Sequence, residues 1–127
     1  MRLSLPVACI ATAASVVLAP LPAQAAAVPN GLFLSVTGNG GTWLRAIVIQ
    51  CPLRADQHPY GALTCALLTA VDGNIDRLPG NPHPCTRQND PVTATATGIW
   101  QNRRVNWQKT FSNACVLDAA TSPVFHF

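Results

Sequence analysis

The chain has 127 residues, of which 10% are charged, against roughly a quarter in an average soluble protein. That length supports one domain, and the scarcity of charge excludes a disordered, solvating chain. A formal charge of +3 is too small for the basic stripe that marks a nucleic-acid partner.

Met1 and Arg2 form a short basic start, Leu3 to Leu21 is almost wholly small or apolar, and Ala23-Gln24-Ala25 follows as a small-residue cleavage signal. Pro6, Pro20 and Pro22 interrupt the run, leaving it shorter than the ~20 apolar residues of a membrane span. The pattern predicts a secretory signal peptide over residues 1–25 and an exported domain over 26–127, with no membrane attachment after cleavage. Cys9 lies ahead of most of the apolar region, whereas a lipid-modified cysteine follows it, so Cys9 leaves with the signal. Cys51, Cys65, Cys85 and Cys115 remain. An even number in an exported chain favours two disulfides; three pairings are open, and spacing does not choose among them.

Leu32, Leu34 and Val36 alternate on one face of a first strand, and Thr37 to Gly41 is a turn. Leu44 to Ile49 predicts a second, better-buried strand ending near Cys51, and Pro52 to Pro59 a polar loop. Leu63, Ala66, Leu67 and Ala70 recur at helical spacing between Pro59 and Gly73, which predicts a helix of about 12 residues carrying Cys65. Leu78 to Pro91 holds Pro79, Pro82, Pro84 and Pro91 and almost no apolar side chain. An irregular segment of that length is usually functional or disordered, and Cys85 inside it predicts a tether. Val92 to Trp100 and Arg104 to Phe111 read as a hairpin turning at Gln101-Asn102. A short linking turn is expected after Cys115, then a last strand over Val124 to Phe127. The fold class is α+β: an antiparallel sheet of about five strands with one main and one short helix on one face.

Catalysis finds little support. Ser35, Ser112 and Ser122 lack the Gly-x-Ser-x-Gly context of a nucleophile, so the chain is not read as an enzyme. Cys51, His58, Cys65, His83 and Cys85 are borderline metal ligands, but their spacing matches no paired zinc pattern; neither metal nor cofactor is expected. A rival reading takes Trp43, Trp100 and Trp107 as the face of an exported module that binds a wall polymer or another non-protease partner.

The informative segment is Pro82-His-Pro-Cys-Thr-Arg-Gln-Asn-Asp-Pro91. Prolines on both sides restrict the backbone to extended forms, a cysteine can anchor it, and one arginine stands at its centre. That combination suits a stiff, convex loop that presents one side chain to a protease pocket.

The chain from about Leu32 to Phe127 resembles the Streptomyces subtilisin inhibitor family of exported protease inhibitors. The resemblance is carried by Val48-Ile-Gln-Cys51, His58-Pro59, Cys65-Ala-Leu-Leu68 with Ala70-Val-Asp-Gly73, and Cys85 with Asp90-Pro-Val92. Gly98-Ile-Trp-Gln-Asn-Arg-Arg-Val105, Phe111-Ser-Asn-Ala-Cys115 and Ser122-Pro-Val-Phe125 complete it. The ordered array, with cysteines 14 and 30 apart, is more specific than any single piece. It implies the pairings Cys51–Cys65 and Cys85–Cys115, a homodimer joined through the sheet, and a specificity residue two positions after the loop cysteine. Here that residue is Arg87, which makes Arg87–Gln88 the reactive bond and Pro84, Cys85, Thr86, Arg87, Gln88, Asn89 and Asp90 the protease-contacting loop. Asn113 is a candidate brace for that loop. The family's best-known member has methionine and proline where this chain has Arg87 and Thr86. A long cation suits the acidic base of a trypsin-like pocket, so trypsin-like serine proteases are the first expected partners and subtilisin-like ones the second.

Overall fold

The computed structural model describes residues 10–11, 13–21, 30–53 and 58–127. The expected cleavage signal at Ala23 to Ala25, much of the leader and residues 54–57 of the expected polar loop lie outside them. Residues 13–21 have no regular secondary structure and are exposed. Among the described residues no helix is long and apolar enough to cross a membrane.

Four strands form one antiparallel sheet: β1 (Asn30–Gly38), β2 (Trp43–Cys51), β3 (Val92–Trp100) and β4 (Arg103–Phe111), in the order β2-β1-β3-β4. The β3–β4 turn falls at Gln101 and Asn102, both with positive φ, the backbone that a two-residue hairpin requires. Two helices, α1 (Gly61–Ala70) and α2 (Ala114–Thr121), contribute Leu68 and Leu117 to one core with Leu32, Leu34, Val36, Ile49, Val92, Ala94, Ala96 and Trp100 of the sheet. The period-two pattern of β1 and β3 places these side chains on a single face. Gly73 ends the α1 region: it adopts positive φ, its N–H donates to the Leu68 carbonyl, and a Cβ there would meet the Trp100 ring at 2.7 Å. The Trp100 ring occupies the space that a side chain at 73 would need.

Three expectations change. β2 is not the better-buried strand but an edge: Leu44 is 61% and Val48 50% exposed, beside Phe33 at 45%. Its alternation was correct, but only the Ile47–Ile49 side meets the helices, and the opposite face of the sheet is uncovered. The expected linking turn after Cys115 is α2, an eight-residue helix. The segment from Val124 to Phe127 does not extend the sheet. It folds back through bonds from Val124 N–H to the Thr121 carbonyl and from His126 N–H to the Pro123 carbonyl. Val124 and Phe125 are buried, so their hydrophobicity reflects core filling and not strand pairing.

His58 fixes that terminal segment. The Tyr60 N–H donates to its Nδ1 at 2.9 Å, which leaves Nε2–H to donate to the Val124 carbonyl at 2.9 Å. A buried histidine with both nitrogens so engaged is structural.

Candidate functional site

From Leu78 to Pro91 the chain forms neither helix nor strand, and residues 81–90 are exposed apart from half-buried Cys85. It is nevertheless held at closely spaced points by Ser112, Asn113 and α2. The Asn81 N–H donates to the Ala119 carbonyl at 3.0 Å, and Gly80 lies so near the α2 backbone that a Cβ would be 2.3 Å from Ala119 O. Cys85 is bonded to Cys115 in the first turn of α2, and Cys51 at the end of β2 to Cys65 in α1. These are the pairings the resemblance implies. On the far side, the Asp90 N–H donates to the Ser112 carbonyl at 2.9 Å.

Between these clamps lies Asn113, 7% exposed. Its amide nitrogen donates to the Thr86 carbonyl at 3.2 Å and to the Gln88 carbonyl at 2.8 Å. Its amide oxygen accepts from the Val116 N–H at 2.9 Å, which caps α2. One side chain therefore starts the helix and grips the loop on both sides of Arg87. The carbonyls of Thr86 and Gln88, on either side of Arg87, thus both meet the Asn113 amide. Arg87 itself is exposed, and among the described residues its guanidinium enters no ion pair. Pro84, Thr86, Gln88, Asn89 and Asp90 share that exposed stretch. The expected loop residues thus share one exposed stretch, apart from half-buried Cys85, with buried Asn113 bonded to its backbone.

A second set of groups was not legible in the sequence. His83 Nε2 lies 3.2 Å from Asp118 Oδ2 on α2, and His126 Nδ1 lies 3.1 Å from Asp118 Oδ1. Burial pushes the Asp118 carboxyl up, but hydrogen bonds from His126 and His83 outweigh it and hold the group below the ordinary aspartate value. His83 is 35 residues from Asp118 and meets it only through the fold, while His126, eight residues on, is returned to it by the terminal segment. The one local hint was a histidine between two prolines in the loop. His83 also joins Cys85 and Cys115 in a cluster with metal-ligand spacing, but the two sulfurs are bonded to each other and metal binding needs thiolates.

The aromatic rival loses its platform. Trp100 is in the core, Trp107 packs against Phe125 and donates to Asp76 Oδ1 at 3.0 Å, and Trp43 lies on Gly38 beneath the Arg45 guanidinium. They do not form one exposed face.

Comparison with known proteins agrees with this geometry. Residues 28–113 match the family model described as subtilisin inhibitor-like. The chain is 39% identical over 105 residues to subtilisin inhibitor-like protein 5 of Streptomyces fradiae, covering 78% of this chain and 98% of that protein. It is 38% identical over 106 residues to trypsin inhibitor STI2 of Streptomyces longisporus, covering 78% of this chain and 73% of that one. Among solved structures it is similar to Streptomyces caespitosus sermetstatin, crystallised in complex with Bacillus licheniformis subtilisin. That match has a TM-score of 0.65 and 35% identity, over 79% of this chain and 100% of the other.

Proposed function

The chain belongs to the subtilisin inhibitor-like family, and from that premise we propose that it is an exported protein inhibitor of serine endopeptidases with Arg87–Gln88 as its reactive bond. The observation that carries the reading is the hold of Asn113 on the carbonyls of Thr86 and Gln88. A protease cleaves a segment bound in extended form, and the Asn113 bonds on both sides of Arg87 support a loop that is fixed before any enzyme arrives. Ordering one residue costs about 1–2 kcal/mol, so a loop already fixed avoids much of the penalty of association. If the enzyme opens the bond, Asn113 and the Asp90–Ser112 link keep the new amine of Gln88 beside the acyl group. Religation then competes with water, and turnover stalls.

Arg87 directs the inhibitor to trypsin-like enzymes, because guanidinium makes a charge-assisted and bidentate partner for a carboxylate at the base of a pocket. Subtilisin-like enzymes are the second target, in keeping with the complex formed by sermetstatin. Residues 1–25 are the export signal. The uncovered sheet face with Phe33, Leu44 and Val48 is the surface through which two chains pair, since an exposed apolar patch of that kind marks an interaction site. Titrating active-site-counted trypsin and subtilisin with the mature protein tests the central claim. A stoichiometric end point with trypsin is expected; activity of both enzymes unchanged by excess protein overturns it.

A further inference from the structure

The two disulfides differ in their surroundings. Cys51 is buried and Cys65 half-buried, with Cys65 Sγ 3.6 Å from the Gln50 carbonyl oxygen. Among the described residues no imidazole contacts either sulfur. The Cys85–Cys115 bond is half-buried at the surface, and one imidazole faces both of its atoms: His83 Nδ1 is 3.8 Å from Cys85 Sγ and 3.7 Å from Cys115 Sγ. The ring is oriented from its other side by Asp118, whose second oxygen is taken by His126. Nδ1 also lies 3.3 Å from the Pro84 carbonyl oxygen. When the ring carries two protons, each therefore meets an acceptor, and a cation stands beside the sulfur that must leave as a thiolate.

We propose that His83, positioned by Asp118, makes Cys85–Cys115 a site of thiol–disulfide exchange, so that a small dithiol opens the loop's covalent anchor selectively and leaves Cys51–Cys65 intact. A reagent thiolate attacks one sulfur of the pair, forming a mixed disulfide as the Cys85–Cys115 bond breaks. The displaced sulfur takes the Nδ1 proton of His83, which the ring regains from solvent. The reagent's second thiol gives up its proton and displaces the remaining cysteine. The dithiol leaves as a cyclic disulfide, oxidised by two electrons, and both cysteines end as thiols. That release of the anchor weakens protease inhibition rests on the reading of the loop given above; the exchange itself does not.

The test is native-state reduction of the mature protein with dithiothreitol, followed by alkylation and peptide mapping at timed intervals. Labelling of Cys85 and Cys115 is expected well ahead of Cys51 and Cys65. At acid pH, His83→Gln should slow that labelling about fivefold, which is what a unit charge ~4 Å away supplies in a water-exposed setting, with Cys51–Cys65 unaffected. Exposure alone would give the same order of labelling, so the pH profile decides. Corrected for reagent thiolate, the parent rate constant should rise as the pH is lowered, as proton delivery from an imidazole requires; that of His83→Gln should stay flat. Asp118→Asn leaves the ring but removes its brace and should give an intermediate loss, which keeps the test open where His83→Gln fails to fold. A parent-like rate and pH profile in the folded variants, or earlier opening of Cys51–Cys65, overturns the proposal. Residual trypsin inhibition, assayed on the same samples, separates this outcome from a failure of the functional reading.

Discussion

The central strands and the 78–91 loop are held by opposite means. β1 and β3 are paired along nearly their whole length, with interlocking apolar side chains on one face. The loop has no ladder and almost no core, and its hold comes from a handful of long-range links to Ser112, Asn113 and α2. In the sheet stabilisation is spread over many contacts, so losing a large one weakens the whole molecule. In the loop it is concentrated, so losing one link changes local order while the body persists. The two regions should therefore respond separately to substitution.

The largest effect is expected in the core. Trp100→Ala removes a buried ring that also packs over Gly73; losses of about 3–5 kcal/mol are typical for such changes. Chemical denaturation should show that loss, and loop and sheet should fail together. Arg87→Met should do the reverse. The melting temperature should hold, while trypsin inhibition weakens by about 2–5 kcal/mol, roughly 30-fold to several thousand-fold, because the pocket carboxylate loses its partner. Equal trypsin inhibition constants for parent and variant would place the reactive bond elsewhere.

Asn113 sharpens the contrast because it serves both regions. Asn113→Ala removes the α2 cap as well as the two loop bonds and should cost about 1–2 kcal/mol of stability. Asn113→Asp keeps an acceptor for the Val116 N–H but has no donor for Thr86 and Gln88. It should retain more of the stability while the loop is hydrolysed faster by trypsin, as followed by mass spectrometry over hours. The smallest effect concerns acid. Asp118 has a lowered carboxyl pKa in the folded chain, so its contacts with His126 and His83 stabilise the protein above the ordinary aspartate value of about 4. That contribution is lost as pH falls through the folded value. The melting temperature of Asp118→Asn should therefore fall less steeply than the parent's on acidification, and parallel curves would remove Asp118 from the account.

What could be read in advance followed the same division. Local signals located the β3–β4 hairpin and its turn, the α1 region between Pro59 and Gly73, and the irregular loop, since period, proline and glycine act within a few residues. Asn113 was read as a candidate brace, and the structure shows it bonded to the loop and also capping a helix, a second role the sequence reading did not contain. α2 was read as a linking turn because eight residues are too few to show a helical period. The exposure of β2 could not be read because alternation gives the two faces of a strand but not which of them is covered. The same limit applied to Val124 and Phe125, whose apolar character fits a strand or a buried turn equally well. The meeting of His83, Asp118 and His126 exists only in three dimensions.

At the tip of the loop the noncovalent grip acts on the backbone. Thr86 and Gln88 are held by their carbonyl oxygens and Asp90 by its N–H, and none of these bonds asks what the side chain is. The scaffold thus separates address from delivery. Residues 86–88 form a cassette that can be rewritten within the limits of extended backbone, while the machinery that keeps the cassette taut stays in Asn113 and the neighbouring turns. On the proposed reading of the loop, new target enzymes follow from changing the bait alone, and a randomised library confined to those three positions would sample them without first having to rediscover a fold.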